Sequence, residues 1–149
     1  MASPNNPTGN LFPREQLLRI LEYPVAVVVD EAYAEFSGQS TVDLVGQRGN
    51  LIVARTFSKW AGLAGLRAGY AVIPPELVET VWKVKVPYNL SVASEQAILA
   101  SLEDKQTLLD NVRLIVEERD HMFRRLEKLS FLRPYTSAGN YILLSLIHI

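Results

Sequence analysis

Residues 51–70 read LIVARTFSKWAGLAGLRAGY, and this stretch decides the fold. Its first five residues are a nearly continuous apolar run, which predicts a strand buried on both faces. The run AGYAVI at 68–73 predicts a further strand, which Pro74 and Pro75 end. Because only a short connection separates the two runs, antiparallel pairing between them is open as well as parallel pairing.

Other patterned segments surround this stretch. VAVVV at 25–29 predicts another strand buried on both faces, ending at Asp30. Apolar periodicity and capping residues predict four helices, over 13–23, over 76–85, from Ser91 onward and over 105–129. Buried strands separated by helices are typical of an α/β fold with a largely parallel sheet. FLRP at 131–134 and NYILL at 140–144 predict the start of a second sheet.

The bulk composition narrows the function classes. The chain has 149 residues, a net charge of -1 and a hydrophobic fraction of 48%, so we expect a globular protein that binds neither nucleic acid nor a membrane. The absence of cysteine excludes disulfides, thiolate metal sites and a cysteine nucleophile. The first ten residues, MASPNNPTGN, do not have the pattern of a signal peptide. We therefore expect a cytoplasmic protein without a metal site.

Polar residues follow the predicted strands where those strands end. Asn5 and Asn6 lie in a turn-rich stretch that would follow a preceding strand, Asp30 ends the run 25–29, and Lys59 follows the run 51–55. Ligands of open α/β sheets bind outside the carboxyl ends of the strands. These side chains are therefore predicted to converge on one crevice.

The residue types indicate a particular cofactor chemistry. A lysine among small apolar residues is poorly solvated, so the pKa of Lys59 is expected to fall and its amine to form a Schiff base with an aldehyde. Arg67, with the hydroxyls of Thr56 and Ser58, could hold a dianionic phosphate. A buried carboxylate at Asp30 could hold a protonated heteroaromatic nitrogen. These are the requirements of pyridoxal 5'-phosphate.

Each residue also has a purely structural interpretation. Asp30 and Glu31 can cap a helix, Tyr33 can be a core aromatic, and Glu31 has no required role. Arg67 as the salt-bridge partner of Glu35 or Asp30 is the main alternative to its phosphate role. The charged residues 117–120 and the neighbouring His121 predict a solvent-exposed helix face.

Four motifs carry a family resemblance. They are SPNNPTGN (3–10), DEAYAEF (30–36), RTFSKWAGLAGLRAGY (55–70) and KVPYNLSVASEQA (85–97). In this order and spacing the sequence resembles the fold-type I aminotransferases, and among them the histidinol-phosphate aminotransferase family. The resemblance implies part of that family's large cofactor-binding domain over 1–104, and a linking long helix with the start of the small α+β domain over 105–143.

The resemblance also implies roles for residues at the ends of the strands. Lys59 would bind the cofactor covalently and carry the proton, and Asp30 would pair with the pyridine nitrogen. Tyr33 and Asn6 would donate hydrogen bonds to the ring's 3′ oxygen. The Asn6–Pro7 peptide bond would be cis.

The phosphate and the substrate would be held by other residues. By the same resemblance, Arg67 and Ser58 would bind the cofactor phosphate, with Thr56 close by. Tyr88 and Asn89 would line the substrate side, or form a plain turn.

The implied reaction transfers the amine of L-histidinol phosphate to 2-oxoglutarate, in a homodimer. Alternatives are a threonine-phosphate decarboxylase, an aromatic aminotransferase, or a fragment that binds the cofactor without turnover. The sequence is interpreted as an internal fragment, inactive alone. The last residues, LSLIHI at 144–149, match the translation of a sequencing-library adapter, and we interpret them as not native.

Overall fold

The computed structural model describes residues 1–146. Within these residues, five helices and five strands follow one another: α1 Arg14–Ile20, β1 Val27–Asp30, α2 Ala34–Ser37, β2 Leu51–Thr56, β3 Gly69–Val72, α3 Pro75–Val84, α4 Val92–Glu103, α5 Lys105–Leu126, β4 Leu132–Pro134 and β5 Leu144–Leu146. Short 3-10 turns lie at Val42–Leu44 and Ala64–Leu66. The predicted α/β class is confirmed.

The first three strands form one mixed sheet in the order β1-β2-β3. β1 and β2 are parallel, with Val27 opposite Leu51, whereas β2 and β3 are antiparallel, with Thr56 opposite Gly69. A further parallel bridge joins Ala2 to Asp30. The short connection between β2 and β3 therefore produces the antiparallel pair that the sequence left open.

The main core lies on one face of this sheet. Leu17 and Leu21 of the α1 region, and Leu44 of the first 3-10 turn, pack against the inward side chains of β1 and β2. The prediction that β1 is buried on both faces is wrong within residues 1–146, because Val28 is 47% exposed. The residues packing on β1 in this part of the chain lie on the face of Val29, so its side chains alternate between core and solvent.

The helices agree with the predicted segments, with shifted ends. The predicted cap is confirmed: Ser91 precedes α4, and its Oγ accepts the Ser94 N–H at 3.1 Å. α5 ends at Leu126 rather than near 129. Its Val112 packs against Tyr33 and Phe36, so α5 lies against α2.

The second sheet consists of β4 and β5 paired antiparallel, with Arg133 opposite Ser145. It confirms a second sheet at FLRP, but most of NYILL precedes β5. Leu144–Leu146 belong to the stretch that we interpret as not native, and that interpretation stays a prediction. The remaining residues of the stretch, 147–149 with His148, lie outside the described residues.

A buried carboxylate joins β1 to the segment that follows it. Glu31 is 1% exposed, on the same side of the strand as the core residues. Its Oε2 accepts hydrogen bonds from Ser40 Oγ at 2.7 Å and Arg55 Nε at 3.0 Å, and its Oε1 accepts from the Thr41 hydroxyl at 2.8 Å. Both oxygens of the Glu31 carboxylate are thus hydrogen-bonded inside the protein, so Glu31 has a structural role that the sequence analysis did not assign to it.

Arg55 completes this network from the neighbouring strand. Its guanidinium lies 2.8 Å from Glu31 and 2.9 Å from Glu35. Burial alone would lower the pKa of Arg55, but the negative charges of the two carboxylates outweigh it, and the pKa is raised. The structural interpretation of Arg67 made it a salt-bridge partner of Glu35. In the structure, Glu35 pairs with Arg55 instead.

We expect Arg55→Met to destabilise the protein strongly. The substitution leaves two largely buried carboxylates without their cation, which should lower the free energy of unfolding by about 3–5 kcal/mol. Urea denaturation of the full-length protein that contains this chain measures the change. Arg14→Met, at the exposed Arg14–Asp43 pair, is the control and should leave the midpoint unchanged. Equal shifts in both variants would contradict the importance of the buried network.

Candidate functional site

The carboxyl ends of β1 and β2 and the loop 5–9 meet at one edge of the sheet. The backbone N–H of Ser3 donates to the carbonyl of Asp30 at 2.9 Å, which brings the N-terminal segment alongside the end of β1. The Glu31 N–H donates to the carbonyl of Ala54 at 2.9 Å, so β1 and β2 end side by side. This is the edge at which the sequence predicts a site.

Three of the predicted residues converge there. Asn6 Nδ2 donates to the hydroxyl of Tyr33 at 2.8 Å. Lys59 Nζ lies 5.5 Å from the centre of the Tyr33 ring, within the range of a cation–π contact. The Asn6–Pro7 bond is cis, as expected. An amide, a phenol and an amine from three separate segments therefore share one cluster.

The side chain of Lys59 is exposed in this structure. The expectation that neighbouring small residues keep its amine away from water is wrong for residues 1–146. Gly62 and Gly65 have open space where a β-carbon would lie, so the small residues shape a turn without covering the amine. The Tyr33 ring lies on one side of the amine, with its centre 5.5 Å from Nζ.

Asp30 lies on the open side of the sheet. Because Glu31 faces the core, the alternation along the strand directs Asp30 to the opposite face. Its Oδ1 accepts the N–H of Ala32 at 2.9 Å, which orients the carboxylate. The prediction that Asp30 is buried is wrong within the described residues, because nothing in them covers this face of the strand end.

The hydroxyls predicted to bind phosphate lie where β2 ends. Thr56 Oγ1 donates to the carbonyl of Ala68 at 3.1 Å and accepts the Ser58 N–H at 3.0 Å. The Phe57 N–H also donates to Ala68, which extends the antiparallel register so that Ser58 and Arg67 flank the same end of the hairpin.

Arg67 has a left-handed backbone conformation, with φ of 52°. Its guanidinium donates to the carbonyl of Ala64 at 3.0 Å and is exposed. An open cavity of about 650 Å³ lies beside it, lined also by Tyr88, Asn89 and Glu95. Tyr88 is 84% exposed, so the segment over 85–90 borders this cavity without being packed.

Two functional candidates escaped the sequence analysis. Tyr141 packs edge-on against Tyr33 at 5.2 Å between ring centres and donates to the carbonyl of Asn5 at 2.6 Å. Arg119 donates to the carbonyl of Gly139 at 2.8 Å with a side chain only 12% exposed, so its assignment to a solvated face is wrong. Local sequence patterns carry no signal for either residue's contacts, because the partners are distant in sequence.

Residues 1–146 contain neither a metal-ligand cluster nor a membrane-spanning helix. No three His, Cys, Asp or Glu side chains there come together as metal ligands would. None of the described helices has the length and apolarity that crossing a membrane requires.

The sequence is similar to histidinol-phosphate aminotransferases. It is 50% identical over 143 residues to the enzyme of that name from Roseiflexus castenholzii, covering 96% of this chain and 38% of the relative. It is also 50% identical over 145 residues to the chloroplastic enzyme from Nicotiana tabacum, covering 96% of this chain and 35% of the relative. The chain thus spans well under half the length of the curated relatives it matches.

A solved structure gives the same result. Histidinol-phosphate aminotransferase from Sinorhizobium meliloti, in complex with pyridoxal-5'-phosphate, superposes with a TM-score of 0.85 at 31% identity, over 97% of this chain and 41% of that one. The family model described as aminotransferase class I and II matches residues 1–148. The chain therefore belongs to the class I and II aminotransferase family.

Proposed function

We propose that this chain is part of a histidinol-phosphate aminotransferase. The whole enzyme would pass the amine of L-histidinol phosphate to 2-oxoglutarate, giving imidazole acetol phosphate and glutamate. The observation that carries the proposal is the cluster of Asn6, Tyr33 and Lys59 at the carboxyl ends of the strands. It lies in a sequence 50% identical to enzymes of that name.

The residues at this edge fit pyridoxal phosphate. An amine (Lys59), a carboxylate (Asp30), a phenol (Tyr33) and an amide (Asn6) match the aldehyde, the ring nitrogen and the ring oxygen of the cofactor. When bound, the cofactor supplies an aldehyde carbon and an electron-withdrawing ring.

The phosphate of the cofactor would be held at the hairpin end. Arg67 offers a cation there and Ser58 a hydroxyl donor. Thr56 lies close by, where its hydroxyl donates to the Ala68 carbonyl and its Oγ1 accepts the Ser58 N–H, so it orients Ser58. The Arg67 guanidinium makes only a backbone contact among the described residues, so it can turn toward an anion at little cost.

The chemical work of the chain lies on Lys59 Nζ and Asp30. Lys59 Nζ would bond covalently to the cofactor, and once released would move a proton to and from the substrate carbon. The Asp30 carboxylate, held by the Ala32 N–H, would keep the ring nitrogen protonated. Asn6 and Tyr33 would donate to the ring oxygen.

The proposed partners are an amino donor, a 2-oxo acid and a second copy of the protein. Trp82, Val84 and Tyr88 are 66%, 77% and 84% exposed. Such a run of exposed apolar side chains favours a subunit interface. Light scattering of the full-length protein tests the homodimer, and a monomer would contradict it. The cytoplasmic location stays a prediction.

We expect Lys59→Ala to abolish covalent attachment of pyridoxal phosphate. Borohydride treatment of the full-length protein loaded with the cofactor should add the cofactor's mass to the peptide that contains Lys59 and to no peptide of the variant. Activity should fall by at least about 10²–10⁴-fold, the usual worth of a general acid–base group. Lys83→Ala, on α3, is the matched control. A label on another lysine would contradict the assignment.

We expect Asp30→Asn to retain the cofactor but lose turnover. The isosteric change removes the charge that would hold the ring proton, and the loss of one preorganised electrostatic contact costs about 10²–10³-fold in kcat. Steady-state kinetics with cofactor content measured in parallel gives the result. Asp43→Asn, an exposed carboxylate near α1, should match the wild type. A fully active Asp30→Asn enzyme would exclude this role.

A second candidate reaction keeps the site and changes its outcome. A structure named L-threonine-O-3-phosphate decarboxylase, from Porphyromonas gingivalis, superposes with a TM-score of 0.85 at 25% identity, over 98% of this chain and 46% of that one. Incubating the full-length enzyme with each phosphorylated amine separates the two reactions. We expect glutamate from 2-oxoglutarate with histidinol phosphate, whereas carbon dioxide from threonine phosphate would favour the decarboxylase.

A further inference from the structure

We infer that Tyr141 is a positioning residue for the site. Through its hydrogen bond to Asn5 and its contact with Tyr33, it would hold the Asn6–Tyr33 pair in place from the C-terminal side of the chain. The inference rests on the proposed function for its consequence at the cofactor. The contacts themselves belong to the chain alone.

The hydroxyl of Tyr141 fixes the backbone of the loop 5–9. It donates to the carbonyl of Asn5 at 2.6 Å, and the same carbonyl accepts the N–H of Gly9, also at 2.6 Å. The turn that presents Asn6 is therefore held by one hydrogen bond within the loop, from Gly9, and by a second from Tyr141, which lies outside the loop. Burial, together with the neighbouring Tyr33, raises the pKa of Tyr141, so its hydroxyl stays protonated and remains a donor at neutral pH.

The ring of Tyr141 supports the other member of the pair. It meets the Tyr33 ring edge-on, at 5.2 Å and an interplanar angle of 80°, an arrangement favoured by the aromatic quadrupoles. Tyr33 is only 8% exposed, and Phe36 and Val112 belong to the same buried cluster. One side chain thus contacts both the turn behind Asn6 and the ring whose hydroxyl Asn6 reaches.

The segment carrying Tyr141 is itself attached at further points. The N–H of Ala138 donates to the carbonyl of Gly9 at 2.8 Å, and Arg119 of α5 holds the carbonyl of Gly139. A β-carbon on Gly9 would lie 2.8 Å from Ser137 Cα, so the two segments approach as closely as a glycine allows. Tyr141 is therefore presented to the loop from a fixed support.

The consequence for the cofactor follows from the donors to its ring oxygen. If Asn6 and Tyr33 are held less firmly, they withdraw less charge from that oxygen. The ring oxygen would then be more basic, so the pH at which the bound cofactor loses a proton would rise. A residue that only stabilises the fold would leave this pH unchanged.

The test is Tyr141→Phe in the full-length protein that contains this chain. The change removes the hydroxyl and keeps the ring, so the edge-on contact with Tyr33 remains. In the cofactor-free protein, we expect amide hydrogen exchange at Gly9, whose N–H donates to the same Asn5 carbonyl, to speed up about 2–10-fold, the effect of losing one hydrogen bond. In the loaded protein, the pH midpoint of the cofactor's visible absorbance should rise. Tyr135→Phe, on the same segment with its ring against Arg133, should change neither quantity.

A coupled variant shows whether the effect passes through Tyr33. In Tyr33→Phe, the donor proposed for the ring oxygen is already lost, so adding Tyr141→Phe should move the midpoint less than it does alone. Unchanged exchange at Gly9 would overturn the inference, as would faster exchange with an unmoved midpoint. If borohydride treatment of the unsubstituted protein left Lys59 unlabelled, the proposed function would be refuted. The exchange measurement would still show whether Tyr141 holds the loop 5–9.

Discussion

The buried carboxylate of Glu31 is the constraint on which the geometry of the site depends. A charge that is 1% exposed must be fully paired, and Arg55, Ser40 and Thr41 provide the partners. Since Glu31 must face the core, the adjacent Asp30 faces the other side. Because Arg55 belongs to β2, the same contact also fixes how the ends of the two strands lie beside each other.

The local parts of the structure could be predicted from the sequence. Strand positions, the Ser91 cap and the convergence of Asn6, Tyr33 and Lys59 follow from patterns within short segments and from the family motifs. The solvation of Lys59 and Val28 could not, because it depends on what packs against them, and a pattern along the chain reports only one side of that contact.

The roles of two charged residues, Arg119 and Glu31, could not be predicted from the sequence. Arg119 lies in the charged run 117–120, which has the pattern of a solvent-exposed helix face. Its guanidinium nevertheless donates to the carbonyl of Gly139, in the segment that carries Tyr141. Glu31 directly follows Asp30, the functional candidate at the strand end, and its own partner Arg55 belongs to another strand. In both cases the partner lies outside the residue's own element. Hydrophobic periodicity describes one segment at a time and therefore cannot identify such a pairing.

The contact between Asn5 and Tyr141 joins residues 136 positions apart. Closing a loop of that length costs more chain entropy than closing the short β2–β3 connection, so we expect this contact to form after the local ones. The turn that presents Asn6 therefore acquires its final support only when the far segment has docked. Residues 5–9 thus precede Tyr141 along the chain and still depend on it for their final support.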